Sequence, residues 1–182
     1  MTDHSKLTMC HADRRVSDPK YLLEMLKLNE FCTVAFHDEP FPYVVPMNAG
    51  FEWNEGEPLT AWLHMAVRGH RLDLIQKNPN CALNVSPWLD RVGHKRYRKE
   101  PHDYRSVTIF GKAEIISADT PEEYLHGLGI LAEQHGRAKP LRITDSLRES
   151  LLILKITACE VTGKAQYPLT SFEDIPIPPL ED

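Results

Sequence analysis

Three apolar runs follow one another with almost nothing between them: FCTVAFH from Phe31, PFPYVVPMNAGFEW from Pro40 and LTAWLHMA from Leu59. The links are short and carry turn formers such as Asn54, Glu55 and Gly56. A parallel connection needs a crossover of a dozen or more residues, whereas a short turn returns the chain beside itself. These runs therefore predict antiparallel pairing. Pro40, Pro42 and Pro46 limit where ladder hydrogen bonds form in the second run.

Three further runs read as strands: CALNVS, YRSVTIFGKAEIIS and SLLILKITACEVTGKA. Gly111 inside the second of these predicts a bulge or bend. Between the strands lie three helical patterns. SDPKYLLEMLKLNE offers Ser17 or Asp18 as cap and Pro19 in the first turn, with an apolar stripe of Leu22, Leu23, Met25 and Leu26. A helix from about Gly69 to Lys77 is stopped by NPN. DTPEEYLHGLGILAEQHG offers Thr120 as cap, with Glu122 and Glu123 at the positive end of the helix. About six strands with three inserted helices predict a mainly β fold, an antiparallel sheet or barrel with peripheral helices.

The chain has 182 residues and a formal net charge of −5. That length suits one domain. The negative charge argues against general binding to nucleic acid or anionic membranes. No apolar run approaches the ~20 residues needed to span a bilayer. MTDHSKLTMCHADRR has no apolar centre, so it is not read as a secretory signal. Cys10, Cys32, Cys81 and Cys159 form no CxxC pair, and three of them lie in strand-like runs where a buried free thiol is expected. A reducing cytoplasm fits that usage. The chain divides into a flexible N-terminus (1–13), one domain (14–164) and an acidic, proline-rich extension (165–182), YPLTSFEDIPIPPLED closing it.

The most informative stretch is HMAVRGHRLDLIQKNPN, where a strand hands over to a helix through Arg68, Gly69, His70 and Arg71. Unpaired N–H groups and the dipole at a helix start attract anions. Gly69 allows close backbone approach, and the Arg71 fork matches a phosphate. Cations are disfavoured at that end of a helix, so helix stability alone does not explain them. A solvated charged turn is the competing reading, and the residues by themselves leave both open. His64, one step inside the strand end, reads first as a structural histidine, since a lone histidine in such a place is more often that than functional. The loop DRVGHKRYRKE alternates bases with Tyr97 but is diluted by Asp90, Glu100 and Asp103, and reads as a solvated loop rather than an RNA surface. Cys10 beside His11 lacks a second ligand pair for zinc, and no glycine elbow surrounds Ser86 or Ser106.

Taken in order, PFPYVVPMNAGFEW, LHMAVRGHRLDLIQKNPNCALNV, YRSVTIFGKAEII and LLILKITACEVTGK resemble the FMN-binding split-barrel proteins of the pyridoxamine 5'-phosphate oxidase-like superfamily, nearest to the Nim-type nitroimidazole-resistance branch. The resemblance covers roughly Arg14 to Lys164. It implies a six-stranded antiparallel split barrel and a homodimer with FMN at the subunit interface. It also implies a flavin-dependent oxidoreductase, with a nitroaromatic or quinone-like acceptor as its small-molecule substrate. The alternative it leaves is a non-catalytic protein that binds or senses a flavin, heme or deazaflavin.

Carried over by position, Arg71 falls on the FMN phosphate, with Arg68, Gly69 and His70 beside it. Val45, Pro46, Met47 and Asn48 fall along the isoalloxazine ring, mostly through backbone groups. His64, Met65 and Ala66 fall at the strand end by the flavin, with His64 near the substrate as a proton or hydrogen-bond donor. Ser106, preceded by Arg105, stands where many oxidase relatives have a glutamine on the cofactor. Trp88 and the loop after it are implied to cross to the partner subunit. The arginine and histidine pattern that binds substrate phosphate in true pyridoxamine phosphate oxidases is missing near the C-terminus, which disfavours vitamin B6 oxidation.

Overall fold

The computed structural model describes residues 11–28, 31–86, 104–137, 139–140 and 142–165. A short 3₁₀ turn, Ala12–Arg14, leads into a two-residue strand β1 (Arg15–Val16). The remaining elements are α1 (Pro19–Lys27), β2 (Phe31–Phe36), β3 (Tyr43–Glu52), β4 (Thr60–Ala66), α2 (His70–Lys77), β5 (Asn80–Val85), β6 (Arg105–Ile116), α3 (Pro121–Gln134), α4 (Asp145–Ser150) and β7 (Leu151–Ala165). Trp88, the Arg91–Lys99 loop, Cys10 and the extension beyond Ala165 lie outside the described residues.

All pairings are antiparallel, in the order β7-β4-β3-β2-β5-β6, and β6 pairs back onto β7. Six strands thus close into a barrel, and β1 adds a seventh at the far end of β7 through Arg15↔Lys164. Closure removes open edges, a standing liability of sheets. Alternation sends Val34, Phe36, Ala49, Phe51, Leu63, Met65, Leu83, Ile109 and Ile156 into the interior. Leu22, Met25 and Leu26 of α1, with Leu74 and Ile75 of α2, join the same core.

The glycine at 111 marks a bulge, as expected. The register shifts between Phe110 and Gly111, so that Cys159 is the extra residue of β7. That placement corrects one expectation: Cys32 and Cys81 are buried, but Cys159 is exposed, because a bulged residue leaves the alternation of its strand. Burial pushes the Cys32 and Cys81 thiols up to about 12. Asp18 caps α1, accepting from Lys20 N at 2.8 Å. Thr120 does not cap α3; its hydroxyl donates instead to Ser117 O at 3.1 Å. The six residues of α4 were no part of the expected pattern; Thr144 caps them by accepting from Leu147 N.

Helix α3 lies outside the barrel. Trp62, Ile116, Tyr124 and Ile153 form a second apolar cluster beneath it. Glycines make the contact close: a Cβ at Gly50 would stand 2.7 Å from Ile130 O, and one at Gly127 would enter the Trp62 ring.

Candidate functional site

The stretches singled out in the sequence meet where two strands part. β3 pairs with β2 from Tyr43 to Asn48, but its ladder to β4 begins only at Ala49↔Leu63. Beyond that point β4 continues as His64, Met65 and Ala66 against Ile153, Leu152 and Leu151 of β7. A slot therefore opens between Val44–Met47 and the last residues of β4, with no strand filling it among the described residues. Pro46, which has no N–H to give, sits in this half of β3.

The slot places the carried-over residues on both its walls. Pro46 is exposed and Asn48 half-buried on the outer face, while Val45 and Met47 face inward. Across from them His64 and Ala66 face outward, and Met65 is buried. The turn from Val67 closes one end. Gly69 precedes α2 with φ 131°, a conformation other residues rarely adopt, and no side chain caps the helix start. The first turn of α2 thus keeps N–H groups to donate.

Arg71 is the most telling side chain. Its Nη1 donates to Met47 Sδ at 3.1 Å, and thioether sulfur is a weak acceptor. Its Nε is buried with no hydrogen-bond partner. No described ion pair includes it. A guanidinium left this way costs free energy unless an anion completes it. His70 is held differently: its ring nitrogen meets Asp38 Oδ2 at 2.8 Å, and its ring stands edge-on to Tyr43. That hydrogen bond holds the Asp38 carboxyl below its usual range. Arg68 is exposed at the mouth.

The His64 pKa is lowered, first by partial desolvation and then by the positive charges of Arg71, His135 and Arg137. The neutral imidazole is accordingly its form at neutral pH, able to donate one N–H and accept at the other nitrogen. His135 and Arg137 were not anticipated. They lie about seventy residues further along the chain, in a stretch, QHGRAK, that reads as an ordinary helix end. Nothing local in the sequence marks them as neighbours of His64.

Two expected residues sit elsewhere. Arg105 is buried on the interior side of β6 with Val107 and Ile109. Ser106 faces outward and lines a cleft of about 1000 Å³ over β6 and β7, with Thr108, Phe110, Cys159 and Lys164. On β7, which separates β4 from β6, His64 pairs with Ile153 whereas Ser106 pairs with Lys164 near the other end of the strand, at strand rise roughly 30 Å away. Within one protomer Ser106 does not reach the slot. No group of His, Cys, Asp or Glu among the described residues is placed to hold a metal ion. No helix among them is long and apolar enough to cross a membrane.

The family model described as pyridoxamine 5'-phosphate oxidase matches residues 18–165. No curated protein matches the sequence. Among solved structures, the chain is similar to a candidate 5-nitroimidazole antibiotic resistance protein from Bacteroides thetaiotaomicron, at 23% identity and a TM-score of 0.65, covering 83% of this chain and 86% of that one. It is similar to an FAD and heme binding protein from Mycobacterium smegmatis, at 21% identity and 0.64, covering 89% and 78%. A flavocytochrome from Azotobacter vinelandii is similar at 20% identity and 0.61, covering 92% and 77%. At these identities the likeness concerns the fold.

Proposed function

The chain belongs to the pyridoxamine 5'-phosphate oxidase family, and from that premise we propose that it is an FMN-dependent oxidoreductase acting on small aromatic or quinone-like acceptors. The observation that carries this reading is Arg71, whose buried Nε lacks a partner beside a helix start with unpaired donors. This is the chemistry of a phosphate cradle. When bound, the flavin supplies hydride or electron transfer.

The chain's own residues have separate tasks. Arg71 and the N–H groups of Gly69 to Arg71 hold the phosphate. Asp38 fixes the His70 ring and so the shape of the turn. The open edge of β3 from Val45 to Asn48 meets the ring system through backbone groups. Neutral His64 offers an N–H to the acceptor and orients it. The nitroreductase-like substrate class draws support from the fold shared with the Bacteroides protein.

A homodimer completes the proposal. Phe31 and Val44 are 53% and 57% exposed on the outer face of β2 and β3, an apolar surface on the strands that border the slot. A second copy seated there would supply Ser106 and the Trp88 loop to the slot from outside. Val44→Glu is expected to yield monomers by sedimentation and to lose flavin. A wild-type monomer with full flavin occupancy would overturn the dimer. A cytoplasmic protein is part of the same reading, since Cys32 and Cys81 are free thiols.

The test of the function is the chromophore. Protein purified without added cofactor is denatured, and the released compound is identified by absorbance and mass. FMN supports the reading, with Arg71→Ala losing it. Heme or FAD instead would favour a binding role like that named for the Mycobacterium smegmatis neighbour. No chromophore, and no binding when FMN is added, would remove the flavin reading altogether.

A further inference from the structure

His70 is the first residue of α2, and its side chain is tied across to the link between β2 and β3. Its Nε2 meets Asp38 Oδ2 at 2.8 Å, while Asp38 Oδ1 accepts from Glu39 N at 2.9 Å. Tyr43 of β3 stands edge-on to the ring, with centroids 5.6 Å apart. Three elements thus set the surroundings of the imidazole. The β2–β3 link brings the Asp38 carboxylate, and β3 brings the Tyr43 ring. The helix itself brings Arg71 next to it, Asp73 in the first turn, and Lys77, whose charge acts on Asp38.

The bond to Asp38 fixes where the first proton of the ring sits. An ionised carboxylate can only accept, and the same bond, with that from Glu39 N, holds the Asp38 carboxyl below its usual range. Nε2 therefore carries a proton in either charge state of His70. In the neutral ring Nδ1 is then a lone pair, whereas in the imidazolium it is a second N–H donor. Among the described residues no hydrogen bond reaches that Nδ1, and the side chain is exposed. Nδ1 is bonded to Cγ, so it lies at the backbone end of the ring, beside the N–H groups that open α2. No side chain caps those groups. A phosphate seated on them is repelled by a lone pair and attracted by an N–H. The helix dipole disfavours a cation at this end, and the Asp38 carboxylate offsets that cost. A clamp that only shaped the turn would work as well with an amide at position 38.

We propose that Asp38 is a positioning residue for the cofactor phosphate: it holds the Nε2–H of His70, so that phosphate binding draws a proton from solvent onto Nδ1 and makes His70 a second cationic donor beside Arg71. The inference rests on the phosphate-cradle reading above. It makes FMN uptake proton-coupled, a property that Arg71 alone does not confer, because a guanidinium stays charged throughout.

The test is calorimetric titration of flavin-free protein with FMN in buffers of different ionisation heat, which reads the protons taken up per flavin bound. At about pH 8 the free phosphate is already dianionic, its second pKa being about 6, so a proton taken up goes to the protein. Uptake of about half a proton or more is expected with FMN, and close to none with riboflavin. His70→Gln keeps a donor for Asp38 but cannot be charged. It is expected to abolish the uptake and to weaken FMN binding about tenfold. Asp38→Asn keeps an acceptor for Nε2–H without the charge, and is expected to lose most of the uptake and about fivefold in FMN affinity. Riboflavin affinity within about twofold of wild type in both variants checks that the slot is intact. FMN bound by wild-type protein with no proton taken up would overturn the proposal without any variant. Uptake that survives His70→Gln, or an Asp38→Asn protein that binds FMN as well as wild type or better, would also overturn it. In all three cases FMN still binds and the Arg71 reading stands. If wild-type protein binds no FMN, the cradle reading fails and this inference with it.

Discussion

β3 and β4 are one ladder with two fates. In the half where they pair, Ala49–Glu52 with Thr60–Leu63, polar side chains on the outer face meet one another. Trp62 Nε1 donates to Glu52 Oε1 at 2.7 Å, His126 meets the same carboxylate at 3.0 Å, and Lys155 pairs with Glu123 at 2.6 Å and lies over the Trp62 ring. In the half where they part, the buried Arg71 Nε has no partner and His64 is among cations. Two histidines on one face thus read oppositely. His126 has a carboxylate beside it and belongs to the architecture, whereas the charges that act on His64 all lower its pKa. Satisfied polar groups hold an element in place; unsatisfied ones in an open slot point to what is to be bound.

The comparison breaks most visibly on the paired side. Gly127→Leu forces a side chain into the Trp62 ring and is expected to cost about 3 kcal/mol, seen as a melting temperature lower by roughly 6–12 °C. An unchanged melting temperature would mean that α3 is not packed as described. On the parted side, Gly69→Ala must hold φ 131° and is expected to cost about 2 kcal/mol of stability in the flavin-free protein. A neutral effect in denaturant unfolding would remove the strain argument. Trp62→Phe deletes one bond to a charged acceptor as well as part of the ring packed under Gly127; about 1.5 kcal/mol is expected from the bond, and that share of the loss should vanish in a Glu52→Ala background, which offers no acceptor.

The smallest effect is electrostatic. The His64 pKa is lower in the folded protein than the ~6.5 of an unfolded chain. The unfolded state therefore takes up the proton first. His64 costs no stability above that pH and becomes destabilising as pH falls through and below it. Replacing His64 with Gln should flatten the acid limb of stability against pH. Arg71→Ala, which removes one of the responsible charges, should raise the His64 titration midpoint in the imidazole proton spectrum. A midpoint that is unmoved would separate the two residues.

Much of the barrel was legible because its signals are local. Period-two runs with short links place six strands, Asp18 and Pro19 start α1, and Gly111 marks the bulge. Strand β1 escaped because two residues show no periodicity, and α4 because its six residues blend into the run that becomes β7. Cys159 misled because a bulge breaks the alternation used to place it. The cationic turn was legible as a turn, yet its meaning depends on the strands parting after Ala49, a property of register between distant residues. His135 and Arg137 act on the His64 charge from beyond the end of α3, which no spacing in the chain reports.

The central claim is that the slot recognises a flavin by its phosphate at Arg71. The most direct measurement titrates flavin-free wild-type and Arg71→Ala protein with FMN and with riboflavin, which differ by that phosphate alone. The account predicts that wild-type protein binds FMN about thirtyfold or more tighter than riboflavin, equivalent to roughly 2 kcal/mol, and that Arg71→Ala brings the two affinities together. Equal affinities in wild-type protein, or a preference for FMN that persists without Arg71, would contradict it.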